Sequence, residues 1–386
     1  MKSYDVVIIG AGLAGLEASR RLADLGRAVL LVDRKASLDQ SIHTTGIFVR
    51  RTLEDFSLPE DCLGPPVRNV RLYSPGRRWL DLSSPHDEFR IGRMGLLYQR
   101  LLNRSVSSGV EFRPSNQFIG CAKTTGGLAV RVESGNGSRS IQTRYLVGAD
   151  GANSRVAAAL GLEENREWIV GVEEVVENVP LDGPPRFHCF LDPAIAPGYL
   201  AWAVHDGQQV HIGVGGYVSK FDPLKALKQF RESLEDILDL RSARFVERRG
   251  GRIPVGGVLR NIANAEGLLV GDAAGAVSPL TAGGLDPCLR LSACAAVTIA
   301  DYLQSRDARR LASYSGDLFR ARFVSRLFMR RAIAVVHSPA LLEVGCALLR
   351  LPIFYSIAWQ IFFGRGSFPD FEAGPSPERD WRRVAA

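Results

Sequence analysis

The chain has 386 residues, 46% of them hydrophobic and 23% charged, with a formal net charge of +7. That composition allows a substantial core, excludes a disordered or fibrous chain, and makes more than one domain the expectation. No cluster of basic residues interleaved with aromatics suggests nucleic acid, and the six cysteines are scattered without a CxxC pair, so neither a disulfide framework nor a metal site is expected.

The first element is a short apolar strand, Val6-Val7-Ile8-Ile9, followed at once by Gly10-Ala11-Gly12-Leu13-Ala14-Gly15 and a helix over Leu16 to Leu25. The run at Val6 is therefore a βαβ strand and not a signal-peptide core, and a cytoplasmic protein with reduced thiols is expected. A second strand, Ala28 to Val32, ends in Asp33, 18 residues past Gly15. Gly10 allows the tight turn, Gly12 lets the backbone approach a pyrophosphate, and Gly15 permits close packing of helix on strand. The helix N-terminus offers positive potential to the phosphates, and Asp33 accepts hydrogen bonds from a ribose. Ala14 in the turn and Arg34 beside Asp33 complete the candidate dinucleotide set.

A polar loop, Ser37 to Phe48, carries His43-Thr44-Thr45-Gly46, and a short helix is expected over 50–58. Alternating patterns give strands at Val67 to Ser74 and Trp79 to Leu82, and Arg93 begins a helix running from Met94 to Val106. A strand at Val110 to Phe112 follows, then a meander over Gly127 to Glu133 and Ser140 to Val147 that ends in Gly148-Ala149-Asp150-Gly151. Four short runs, Ile169 to Glu174, Phe187 to Leu191, Tyr199 to His205 and Gln209 to Gly215, read as antiparallel sheet, and Pro223 to Leu240 as an amphipathic helix. Gly267 to Val270 is a strand entering Gly271-Asp272-Ala273-Ala274-Gly275, which repeats the strand-to-carboxylate turn at Asp150. Ligands of open α/β sheets bind at such C-terminal strand ends. A flavin's ribityl hydroxyls need acceptors, and Asp272 is suited to serve one, so FAD is the expected cofactor. Gly283-Gly284-Leu285 precedes a helix beginning near Pro287, where free N–H groups would face the flavin edge that becomes negative on reduction.

Helices are expected over Leu289 to Gln304 and Arg309 to Arg331, followed by a strongly apolar stretch, Ala332 to Gly364. Its longest uncharged run, Leu351 to Gly364, is 14 residues, short of the roughly 20 needed to span a bilayer. Buried packing helices and a surface that dips into lipid are the two leading readings, with a true span the third, so peripheral membrane contact is a candidate partner. The expected fold class is α/β (α+β overall): an interrupted Rossmann-like FAD-binding domain over 1–64, 93–165 and 256–320, an inserted β-rich substrate domain over 65–92 and 166–255, and a helical C-terminal region over 321–386.

At Gly148-Ala149-Asp150-Gly151 and Gly271-Asp272 the chain resembles the flavoproteins of the p-hydroxybenzoate hydroxylase fold group, through its DG and GD motifs. Through Gly271-Asp272-Ala273-Ala274-Gly275 and its continuation to Gly284 it is most similar to the geranylgeranyl reductase family. The resemblance implies that Pro279 and Thr281 line the flavin's face, that Arg93 reaches the cofactor, and that the loop at His43, Thr44 and Thr45 meets flavin or substrate. Reductases of this family that carry Cys-Gly in that loop differ from this chain, which offers His43 as a candidate general acid. Of the family's YxWxFP-type strand only Trp202 survives; Tyr199, Trp202 and Val204 are the candidate substrate wall. The implied activity is reduction of C=C bonds in a lipophilic isoprenoid substrate by hydride from flavin N5. The alternative is an FAD-dependent monooxygenase that hydroxylates or epoxidises an unsaturated molecule, and a third reading keeps reduced FAD as a non-redox aid in isomerisation. A second GxGxxG is missing, so electrons come from transiently bound NADPH, a ferredoxin or a quinol. The sequence is silent on oligomeric state.

Overall fold

The computed structural model describes residues 3–336 and 338–364. His337 and residues 365–386, the end of the expected C-terminal region, lie outside the described residues.

The chain begins with β1 (Ser3–Ile9), α1 (Leu13–Asp24), β2 (Val29–Val32), β3 (Ile47–Val49) and α2 (Arg50–Asp55). It continues through β4 (Asn69–Tyr73), β5 (Trp79–Ser83), β6 (Phe89–Ile91), α3 (Met94–Ser107), β7 (Glu111–Arg113), β8 (Gln117–Thr124), β9 (Gly127–Ser134), β10 (Gly137–Gly148) and α4 (Arg155–Leu160). The middle holds β11 (Trp168–Glu177), β12 (Arg186–Phe190), β13 (Ala201–His205), β14 (Gln209–Gly216), α5 (Pro223–Glu232) and β15 (Arg244–Pro254). Last come β16 (Gly267–Leu269), α6 (Leu285–Ser305), α7 (Gly316–Ala321), α8 (Val324–Val335), α9 (Pro339–Leu348) and α10 (Pro352–Phe363).

Val6 to Ile9 and Val29 to Val32 are unbroken apolar runs, which suit strands buried on both faces of a parallel sheet. They form it: β7, β2, β1 and β10 lie in that order, all parallel, and β16 joins β10 in parallel. The register sets Ile9 beside Gly148 and Gly148 beside Leu269, so the three glycine turns emerge side by side from one end of the sheet. β9 and β8 extend the sheet antiparallel along the first half of β10.

The second sheet runs β15-β11-β14-β13-β12-β4-β5. It is antiparallel as expected except at one joint, where β4 meets β12 in parallel because it arrives from a separate chain segment. β15 has no alternating apolar pattern, yet it pairs along the whole of β11. Charge replaces apolar packing there: Arg244 pairs with Glu177, Arg248 with Glu174 at 2.8 Å and Arg249 with Glu173 at 3.4 Å. The helix expected to reach Leu240 stops at Glu232, where the chain turns to bury Leu234.

The helix expected over Arg309 to Arg331 is broken twice. Tyr314 leaves the helical path to enter the core, where its hydroxyl donates to Leu269 O at 2.7 Å. Gly316 follows against Leu259 O so tightly that a Cβ there would approach to 1.9 Å. The second break buries Phe323. α6 begins at Leu285, two residues before the start expected near Pro287 and four before Leu289, with Pro287 in its first turn.

Candidate active site

The end of the parallel sheet opens into a cavity of about 1120 Å³. That lies just above the roughly 300–1,000 Å³ of ordinary small-molecule pockets. Gly10, at φ 103°, lies so close to the next strand that a Cβ would sit 2.2 Å from Ala149 O, and a Cβ on Gly15 would sit 1.8 Å from Gly10 O. Gly12 has open space on that side. The turn is therefore pressed against the sheet at Gly10 and Gly15 and free toward the cavity at Gly12, where α1 begins.

Gly10, Gly12, Ala14, Asp33 and Arg34 line the cavity, as do Asp150, Gly271, Asp272, Gly283, Gly284 and Leu285. The three carboxylates differ in what remains free. Asp33 accepts from Ala11 N at 2.6 Å and from Lys35 N at 2.8 Å, tying the glycine turn to β2. Asp150 accepts from Ser154 Oγ and from the N–H groups of Arg155 and Val156, so it mainly caps α4. No described group donates to the Asp272 carboxyl, and burial pushes its pKa up to about 6. A partner supplied by a ligand would complete it.

Gly15 packs helix against strand, as expected, and does not border the cavity. Three expected contacts fall elsewhere. Pro279 is outside the lining, near Gly257, although Thr281 does face the cavity. Val204 is buried with Val70, Leu72 and Cys189. Arg93 is outside the lining; its N–H donates to Cys62 O, and its Nε is buried without a hydrogen-bond partner.

His43, Thr44 and Thr45 reach the cavity on a loop pinned to the second sheet. His43 Nδ1 lies 2.9 Å from Gly250 O, Arg249 Nη1 donates to Thr44 O at 3.1 Å, and Thr45 Oγ1 donates to Glu173 Oε2 at 2.5 Å. Glu173 also receives Trp202 Nε1 at 3.3 Å and lies 3.3 Å from His211 Nδ1, whose Nε2 is 3.3 Å from Asp206. Burial disfavours a charge on His211, but its hydrogen bonds to Asp206 and Glu173 and their charges outweigh that and raise its pKa to about 9. Burial likewise opposes ionisation of Glu173, yet the bond to His211 holds its pKa below the usual value. This network went unread in the sequence. Its traces were a charged pair, Glu173-Glu174, inside an apolar strand and a histidine between Val210 and Ile212.

Beyond Tyr199 and Trp202 the lining turns apolar. Leu72 and Phe187 of the second sheet and Leu200 just before β13 line the same space as Ile333 of α8, Leu349 just past α9 and Phe362 of α10, so one continuous space joins the glycine turns to a hydrocarbon-like arm.

Comparison with known proteins agrees with this geometry. The model of an FAD binding domain matches residues 3–330. The chain belongs to that FAD-binding domain family, beside the geranylgeranyl reductases. Digeranylgeranylglycerophospholipid reductase 1 of Methanopyrus kandleri is 31% identical over 300 residues, covering 74% of this chain and 77% of that protein. A geranylgeranyl bacteriochlorophyll reductase-like protein from Thermoplasma acidophilum superposes with a TM-score of 0.84 at 20% identity, over 94% of this chain and 95% of that one. The p-nitrophenol 4-monooxygenase of Pseudomonas putida gives a TM-score of 0.69 at 16% identity, over 95% and 100%. At such identities the two structures show the shared fold alone.

The protein is an FAD-dependent oxidoreductase. Its residues fit that cofactor: an open face at Gly12, a carboxyl at Asp272 without a donor, and the N-terminus of α6 behind Gly283 and Gly284.

Proposed function

We propose that this oxidoreductase saturates C=C bonds in a polyisoprenoid lipid. The observation that carries the reading is the single cavity in which the cofactor cradle runs directly into an apolar arm walled by α8–α10. The names of the relatives, geranylgeranyl lipid reductases, support the same substrate class.

Saturating one double bond takes a hydride and a proton; reduced FAD, when bound, is the source of the hydride. The chain's own residues do the rest. The N-terminus of α1 with Gly12 takes the pyrophosphate, Asp33 a ribose, Asp272 a ribityl hydroxyl, and the N–H groups at Gly283 to Leu285 the ring edge that gains negative charge. His43 is the proton donor. Its Nδ1 lies 2.9 Å from Gly250 O, which fixes the ring at the cavity wall. Thr45, Arg249 and Glu173 hold the loop that carries it. The apolar arm aligns the chain and keeps water from the reacting carbons.

The face of α8–α10 turned away from the cavity is apolar as well, and we assign it to a lipid surface from which the substrate is drawn. The direct test incubates the holoenzyme with a geranylgeranyl lipid and a chemical reductant, then weighs the products. A gain of one H2 per bond reduced is expected; a gain of one oxygen would overturn the reading.

A further inference from the structure

Two arginines line the cavity with nothing to neutralise them. Arg326 and Arg330 stand four residues apart on α8, so both fall on one face of the helix. Arg330 is 1% exposed, and its Nε and Nη2 are buried without a hydrogen-bond partner. Its guanidinium lies between two aromatic rings, 5.3 Å from the centre of Tyr199 and 5.1 Å from that of Tyr217. Those rings soften the loss of water around the cation but accept none of its N–H donors in the plane of the fork. Arg326 donates only to a neutral group, Ser278 Oγ, at 3.1 Å. Burial lowers its pKa, with Asp286 the one charge that acts to raise it. Asp286 is itself committed to Arg290 at 2.9 Å and to Thr52 at 2.8 Å. Among the described residues no carboxylate forms an ion pair with either arginine.

Like charges four residues apart on a helix repel, and a buried guanidinium without an anion is costly. Ordinary packing would have placed neutral side chains here, so the pair needs a ligand to account for it. The location selects the ligand. Arg326 is bonded to the 278–284 loop, and Tyr199, over which Arg330 stacks, donates to Thr281 O at 2.6 Å. That is the flavin-ring end of the cavity, away from the α1 turn where a pyrophosphate belongs. The same helix sends Ile333 into the apolar arm.

We propose that Arg326 and Arg330 form a phosphate-binding subsite for the anionic headgroup of the lipid substrate, with the hydrocarbon chain lying in the apolar arm. The subsite rests on the reductase reading for the identity of the chain but not for the charge. It makes the protein selective for phosphorylated isoprenoids over neutral ones. Guanidinium forks suit the task because two parallel N–H groups meet two phosphate oxygens.

The test is equilibrium binding to the oxidised holoenzyme, with no turnover required. Geranylgeranyl diphosphate, geranylgeraniol and inorganic phosphate are titrated separately, with heat release or perturbation of the flavin spectrum as readout. The diphosphate should bind at least about ten-fold tighter than the alcohol, the scale of one charge-assisted hydrogen bond, and tighter than inorganic phosphate. Arg330→Met should bring the ratio of diphosphate to alcohol affinity close to one, and Arg330→Lys should restore part of it. Equal affinities for diphosphate and alcohol in the wild type would overturn the subsite even if no variant folds. So would an unchanged ratio in a folded, flavin-loaded Arg330→Met, and inorganic phosphate binding as tightly as the lipid would overturn the headgroup assignment. Reoxidation of reduced flavin by the same lipids is read separately. Selective binding without reoxidation would retire the reductase reading and leave the subsite standing; reoxidation without selectivity would do the reverse.

Discussion

At Asp272 and His211 burial opposes the charge alike, with opposite outcomes. At Asp272 burial acts alone and raises the carboxyl to about 6. A raised acid contributes stability that is full below its unfolded pKa of 3.8 and is lost as pH rises through about 6, so the apoprotein should weaken across that window. Asp272→Ala should purify nearly free of FAD, read as visible flavin absorbance per protein; a fully yellow variant would remove Asp272 from the cofactor site. At His211 burial is outweighed by two carboxylates, and the imidazole is raised from 6.5 to about 9. That stability is full below pH 6.5 and is lost as pH rises through about 9. The contributions of Glu173 and Asp206, both lowered, are lost instead as pH falls below their ordinary values. Removing one partner of a buried charged set typically costs about 3–5 kcal/mol. His211→Gln should therefore lose stability of that order near neutral pH and flatten the alkaline limb of the profile. Denaturant unfolding at several pH values checks this, and parallel profiles for variant and wild type would contradict it.

At the scale of elements, the strand–turn–helix of β1 and α1 separates folding from cofactor binding. A Cβ at Gly12 meets nothing within 4 Å, whereas one at Gly10 or Gly15 collides with backbone. Gly12→Val should fold with nearly unchanged thermal stability yet fail to retain FAD, because the side chain fills the approach to the phosphates. An unfolded variant, or one that keeps its flavin, would contradict that division. This unit was legible in the sequence because its signals are local: an apolar run, three glycines and an acid at fixed spacing. The turns at Asp150 and Asp272 were legible for the same reason. β15 was not, since its partners are the acids of β11, brought to it across more than sixty residues by pairing such as Val170 with Arg252. The break at Tyr314 was hidden too, because it depends on a carbonyl at Leu269 that only the fold brings near. Arg326 and Arg330 carried a readable helical spacing, but nothing in the sequence said that their side of α8 faces a cavity. Val204 and Pro279 were misplaced for a related reason: the correct strand and the correct loop do not determine which side chains reach the space between them.

At the scale of the molecule, α8–α10 have apolar character on both sides. Inward, Ile333, Leu349 and Phe362 wall the cavity. Outward, Phe328 is 75% exposed, Val335 73% and Ile353 70%, with Val324, Leu341 and Val344 also exposed. No single described helix is long and apolar enough to cross a bilayer, and α9 and α10 meet at 102°. If the outer face makes the lipid contact proposed for it, the protein should sediment with phospholipid vesicles. Phe328→Glu with Ile353→Glu should reduce that binding several-fold while the flavin stays bound; unchanged sedimentation would place the membrane contact elsewhere. The cavity runs from the glycine turns of the parallel sheet, past the loop at His43, to the helices on this same face.

The measurement that tests the central claim most directly is anaerobic. The bound flavin is reduced chemically, excess reductant is removed, and a geranylgeranyl lipid is added while the oxidised flavin band is followed. Return of the band without oxygen, in proportion to the double bonds consumed, is the predicted result. A band that stays bleached under lipid but returns in air faster with lipid than without would contradict C=C reduction and identify an oxygen-using enzyme.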